Sequence, residues 1–238
     1  MTGPSMHAPE PSPWPIATAA GILLAAGGIL LHPGVAAAGA AGTVVSVVGW
    51  SRERRRDAEG ASAAPRGMLL FLLSEGFFFG SLIAAYLYLR IRNGAWPPEG
   101  FARLPAGFAG LNTVVLLASG VTMHLAARAL GKGRLGAFRV LLAATAALGC
   151  AFLAGQAYEY RHVGFGIADG LMGSTFFTLT GFHGAHVAGG ILLLLLVLAR
   201  TLRGAETPGG RGLVESAAYY WHFVDAVWVA LFAALYLL

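Results

Sequence analysis

Long apolar runs dominate the chain, broken by short stretches carrying charge, glycine and proline. Seven runs stand out, near residues 16–32, 34–50, 67–90, 108–130, 136–158, 170–199 and 213–238. A helix needs roughly 17–25 residues to cross a hydrocarbon core, so each run is about long enough to span it. Backbone groups in lipid have no water to bond, so each run is expected to be a helix. The first two are at the short limit and are joined by His32, Pro33 and Gly34. They predict a tight helical hairpin, with a buried or re-entrant hairpin as the other reading. The longest polar interruption, residues 51–67, separates this pair from the other five. The expected fold is therefore an all-α membrane protein of seven transmembrane helices, forming a single domain over residues 1–238. Within it, a two-helix hairpin (16–50) precedes a loop (51–66) and a five-helix bundle (67–238). No internal repeat is visible, which argues against a transporter built from inverted halves.

Charge orders these helices. Twelve of the 16 basic residues fall in alternate connections: Arg52, Arg54, Arg55, Arg56 and Arg66, then Arg128, Lys132, Arg134 and Arg139, then Arg200, Arg203 and Arg211. Basic residues collect on the cytoplasmic side, so the N-terminus and the 51–66 loop are expected inside and the C-terminus outside. The net charge of +5 then reads as topology and lipid contact rather than nucleic-acid binding. Composition agrees: 57% of residues are hydrophobic and only 11% charged, against about 25% charged in soluble domains. The one cysteine, Cys150, cannot form an intrachain disulfide and is expected to be a buried, inert thiol. No Lys or Arg precedes the first apolar run, which does not fit a secretory signal.

Ionisable groups inside such helices cost about 2.5–3.5 kcal/mol on insertion scales, so each one is informative. The candidates are Glu75, His183, His186, His222 and Asp225, with neutral Asn112 and Gln156. Glu75 interrupts the run LLSEGFFFG nine residues after Arg66, about 13–14 Å deep at the helical rise. Its neighbours one turn away are Phe71, Leu72, Phe78 and Phe79, and desolvation there disfavours a charge. It reads either as a proton-active or partner-binding carboxyl or as a neutral acid making one interhelical hydrogen bond. Gly76 and Gly80 form a GxxxG pair that would let a neighbouring helix approach closely. His183 and His186 lie three apart in GFHGAHVAGG, near one helix face. Such a pair can ligate a metal, but histidines among so many glycines more often make interhelical hydrogen bonds, and no metal site is expected. Either His186 or His222 could partner Glu75. Asp225, three residues after His222, can pair with it along the helix. No P-loop, dinucleotide fingerprint, GxSxG or CxxC is present, and no catalytic set assembles. The chain reads as one subunit of a larger assembly.

The ordered blocks LLSEGFFFG, LNTVVLLASGVT (Leu111–Thr122), QAYEY (Gln156–Tyr160), IADGLMGSTFFTLTGFHGAHV (Ile167–Val187) and ESAAYYWHFVDAVW (Glu215–Trp228) resemble subunit III of haem–copper terminal oxidases, chiefly cytochrome c oxidase. The resemblance runs from SPWPI (Ser12–Ile16) to the end of the chain. It implies a non-redox subunit beside oxidase subunit I, with subunit II in the same complex and haem and copper held in those partners. The chain itself would bind structural phospholipids in a cleft between its two helix groups, and no cofactor. It would support proton uptake and sustained oxygen reduction coupled to proton pumping in aerobic respiration. By the same resemblance, Glu75 matches a buried glutamate that reacts with a hydrophobic carbodiimide, and His186 matches a histidine expected beside it. Trp50, Arg52, Arg56 and Arg200 match positions that bind lipid headgroups, where guanidinium groups suit phosphate. Residues 57–66 depart from the family by lacking its histidines, the connection before residue 108 is short, and the first helices are rich in Ala and Gly.

Two other readings remain. One is an accessory subunit of a quinol oxidase or nitric-oxide reductase, although the full set of seven helices favours the cytochrome c branch. The other is a stand-alone transporter. The expected location is a bacterial-type plasma membrane, ahead of the mitochondrial inner membrane.

Overall fold

The computed structural model describes residues 13–14, 16–18, 20–21, 24–25, 32–53, 63–101, 104–203 and 208–238. The described residues are helical or lie in turns and connections, and none forms a strand. Those described in the first apolar run, 16–18, 20–21 and 24–25, are helical. Six helices follow: α1 (Pro33–Glu53), α2 (Ala63–Arg92), α3 (Ala106–Gly131), α4 (Leu135–His162), α5 (Gly170–Leu202) and α6 (Pro208–Phe232). A short π-helical segment (Ala233–Leu237) continues α6. Among the described residues, five stretches are long and apolar enough to cross a membrane: Gly67–Arg92, Ala106–Gly131, Leu135–His162, Gly170–Leu202 and Gly212–Leu237. This is a multi-pass, all-helical membrane protein.

The helices reach past the apolar runs. Helix α2 begins at Ala63, with Pro65 in its first turn, where a missing N–H costs no hydrogen bond. Helix α4 continues beyond residue 158 to His162.

The chain divides into two compact units, Met1–Gly60 and Ala61–Leu238. In the first, α1 meets the N-terminal helical residues through the Thr18 and Ser46 hydroxyls, 3.0 Å apart.

The second unit is a bundle of α2 to α6. Helices α3 and α4 are joined by Lys132, Gly133 and Arg134 alone. Gly133 takes φ +70°, the left-handed conformation that ends a helix cheaply, and Arg134 N–H bonds back to the Ala129 carbonyl at 2.9 Å. So short a turn makes the two helices antiparallel neighbours. Their seams follow the 3.5-residue repeat of closely packed helices. On α4 the buried positions include Phe138, Leu142, Thr145, Gly149, Phe152, Gln156 and Glu159. On α6 they include Val214, Ala217, Trp221, Val224, Trp228 and Leu231.

The two tryptophans hold the centre. Trp221 donates its indole N–H to Ser119 Oγ (2.9 Å) and Trp228 to Thr113 Oγ1 (2.8 Å), both on α3. The Trp221 ring lies so close over Gly149 of α4 that an added methyl group there would sit 2.6 Å from it. Small residues thus let α4 accept a large ring, as membrane interfaces commonly do. Helix α2 is different. Its buried hydrophobic residues are Leu72, Phe79 and Tyr86, one per two turns, so it touches the bundle along a narrow seam.

One expectation is overturned, and another finds no neighbouring helix among the described residues. Cys150 is exposed, because the α4 seam passes through Gly149 and Phe152 and turns residue 150 outward. The GxxxG pair is open: a methyl group at Gly76 or Gly80 would meet nothing within 4 Å among the described residues, since the α2 seam runs through Leu72 and Phe79 instead.

Candidate functional site

Glu75 sits on the seam side of α2, eight residues from Gly67 and so about 12 Å along the span. Its Oε2 lies 3.1 Å from Nε2 of His186 on α5. The pair is largely enclosed, with side-chain exposures of 20% for Glu75 and 17% for His186. Phe79 meets the imidazole edge-on at 4.9 Å, and Phe78 stacks against it at 6.4 Å. Tyr220 of α6 donates its hydroxyl to the His186 backbone carbonyl at 3.0 Å. Three helices therefore converge on one carboxyl–imidazole contact.

The hydrogen bonds restrict where protons can be. Nδ1 of His186 lies 2.7 Å from the Phe182 carbonyl oxygen, which can only accept. Nδ1 therefore carries a hydrogen, and Nε2 alone faces Glu75. A good contact there needs one proton between the two groups, on either the carboxyl or the imidazole. Both arrangements leave the pair with zero net charge, which suits its depth in a span. Removing that proton would set a carboxylate against a nitrogen lone pair.

The other expected residues lie apart from this pair. His222, the alternative partner for Glu75, is 3.6 Å from Asp225 Oδ2 on its own helix, with its side chain 44% exposed. His183 is buried and stacks on Trp228 (5.0 Å), with Phe152 edge-on at 5.7 Å. Neither of its ring nitrogens has a partner among the described residues. Among the described residues no group of three or more His, Cys, Asp and Glu is placed to hold a metal ion. Asn112 is buried and donates to the Phe152 carbonyl (3.0 Å), which ties α3 to α4. Arg200 is exposed at the end of α5. Arg56 and the side chains of Trp50 and Arg52 lie outside the described residues.

Gln156 leads to a residue that sequence reasoning missed. Its amide donates to Glu159 Oε2 at 3.1 Å, and the Tyr236 hydroxyl lies 2.9 Å from both Glu159 oxygens. Glu159 is buried, 6% exposed. Its place two residues before Arg161 suggests a helix end at the interface. The signal that could have found it is the α4 repeat, which carries the seam from Phe152 through Gln156 to Glu159.

Comparisons with known proteins agree on one family. The family model for cytochrome c oxidase subunit III matches residues 5–238. The chain is 43% identical to the cytochrome c oxidase subunit 3 of Synechocystis sp. over 173 residues, covering 72% of this chain and 74% of the relative. It is 41% identical over 173 residues to that of Thermostichus vulcanus, covering 72% and 86%. It is 38% identical over 249 residues to that of Danio rerio, covering 97% and 95%.

Proposed function

The chain belongs to the cytochrome c oxidase subunit III family, and from that premise we propose that it is a non-redox subunit that steadies the oxygen-reducing subunit and supports its proton uptake. It works inside a multisubunit, proton-pumping oxidoreductase. Haem and copper are held by the partner subunits I and II, of which subunit I contacts this chain. The complex lies in a bacterial-type plasma membrane, with the N-terminus inside and the C-terminus outside. The chain takes phospholipids as structural ligands, with Trp50, Arg52, Arg56 and Arg200 for the headgroups.

The observation that carries this reading is the Glu75–His186 contact. A carboxyl and an imidazole that share one proton can hold it on either group, or exchange it between them, without placing net charge in the hydrocarbon. The phenylalanine rings at Phe78 and Phe79 keep water away from the imidazole, and the Phe182 carbonyl keeps Nε2 aimed at the carboxyl. Such a group, beside the catalytic subunit, can tune proton or oxygen access to it.

The test is to tag this chain, purify it in mild detergent, and record the reduced-minus-oxidised haem spectrum and cytochrome c oxidation. The expected result is a coloured complex that oxidises cytochrome c. Quinol oxidation or nitric-oxide reduction instead would move the chain to a sister branch of the oxidases. A colourless, lone protein would refute the subunit reading.

A further inference from the structure

A second carboxyl cluster lies at the end of the bundle where the α2, α4 and α6 spans finish, at Arg92, His162 and Leu237. Glu159 sits there, three residues before His162 and 6% exposed. Gln156 Nε2 meets one of its oxygens at 3.1 Å, and the Tyr236 hydroxyl is 2.9 Å from both. Gln156 is also buried, yet its Oε1 has no hydrogen-bond partner among the described residues. Tyr236 is half-buried and has a second side. It lines a recess of about 70 Å³ together with Arg90, Trp96, Leu104 and Met172. At roughly 10–15 Å³ for each water, the recess has room for a few.

The hydrogen bonds fit either charge state of Glu159. As a carboxylate it accepts from the Gln156 amide and the Tyr236 hydroxyl, and Gln156 Oε1 stays unpaired. As a carboxylic acid its O–H needs an acceptor. A half-turn of the Gln156 amide presents Oε1 to it, while Tyr236 still donates to the other oxygen. The turn leaves the amide hydrogens unpaired instead, so neither state wins on the count of bonds. A route for the proton is in place. A hydronium in the recess gives its proton to Tyr236 Oη as the hydroxyl proton passes to Glu159. Water, a neutral tyrosine and a carboxylic acid remain.

Few other titratable groups face the cluster. Tyr160, next to Glu159 on α4, pairs its hydroxyl with that of Thr180 on α5 at 2.8 Å. Arg90 of α2 donates to the Leu238 backbone carbonyl and the Tyr86 hydroxyl. Helix α3 has no titratable residue between Ala106 and Gly120. Arg161, His162 and Asp169 are exposed.

We infer that Glu159 is a titratable site that exchanges protons with the aqueous phase at this end of the bundle, with Tyr236 and the recess as the relay and Gln156 accommodating both states. The test is infrared difference spectroscopy of the chain, purified in mild detergent with its complex, after a jump from alkaline to acidic buffer. The expected result is a carboxylic-acid carbonyl band that appears on the jump, shifts down in D2O and is missing from Glu159→Gln. Tyr236→Phe removes the relay and should slow its appearance about a hundredfold. Leu237→Trp, at an exposed position lining the recess, crowds out water and should slow it with Glu159 and Tyr236 still in place. Identical bands in the parent protein and Glu159→Gln overturn the inference. An unchanged rate in Tyr236→Phe overturns it as well, since Glu159 would then reach water by another way. Should Glu159→Gln not assemble, Leu237→Trp decides: a slower band supports the inference and an unchanged rate overturns it.

Discussion

Glu75 and Glu159 are both carboxyl groups in membrane-spanning helices, but they are held in different ways. Glu159 is in the interior near one end of α4, where Gln156 and Tyr236 bring donors to both of its oxygens. Glu75 is at the edge of the bundle, on a helix with a narrow seam. It has one partner among the described residues, an imidazole whose other nitrogen is already committed. The difference teaches how a buried carboxyl can be assigned a role. A group met by donors on every side acts as an anchor, and moving its proton would disturb the packing around it. A group that shares a single proton with one neutral-capable partner can change state locally. Depth alone does not separate the two.

Breaking the anchor should have the largest effect on stability. Glu159→Ala leaves the Tyr236 hydroxyl and the Gln156 amide without their acceptor in a buried place. It should destabilise the chain by about 3 kcal/mol. The expected outcome is a lower midpoint in thermal inactivation of the detergent-purified complex and less assembled protein in the membrane. Turnover per assembled complex should stay near normal. Normal stability with impaired turnover would reverse the assignment of roles.

Tyr236→Phe removes only the hydroxyl and frees the π-helical segment from α4. A smaller loss of about 1–2 kcal/mol is expected in the same thermal assay. A loss equal to that of Glu159→Ala would mean that Tyr236 supplies the whole anchor.

Glu75→Ala should be the mildest for stability. It removes one interhelical hydrogen bond from a partly exposed seam, worth on average about 0.6 kcal/mol in a membrane. A drop as large as that of Glu159→Ala would erase the contrast between the two sites.

Much of this arrangement is legible in the chain. Runs of apolar residues locate the membrane helices, because lipid demands long helices and tolerates little charge. Glu75 stands out for the same reason. Its partner is less visible: His186 is 111 residues away, and spacing along the sequence does not reveal which helix faces lie together. The choice between His186 and His222 therefore needed the packing of α2 against α5. Glu159 was hidden by its neighbour Arg161, which makes the end of α4 look interfacial, although the 3.5-residue repeat continues inward through it. Cys150 misled in the opposite way, since a thiol in an apolar run invites burial. On a membrane helix, apolar residues face lipid as readily as protein.

The measurement that tests the central claim most directly compares Glu75→Gln with Glu75→Ala for loss of activity during sustained turnover of the purified complex. Glutamine can still donate an N–H to Nε2 of His186, so it preserves the contact without a transferable proton. If the proton shared by the pair is what matters, both variants inactivate faster than the parent protein and to a similar extent. If Glu75→Gln behaves like the parent and only Glu75→Ala is impaired, Glu75 is a structural hydrogen bond and the account of a proton-sharing pair is wrong.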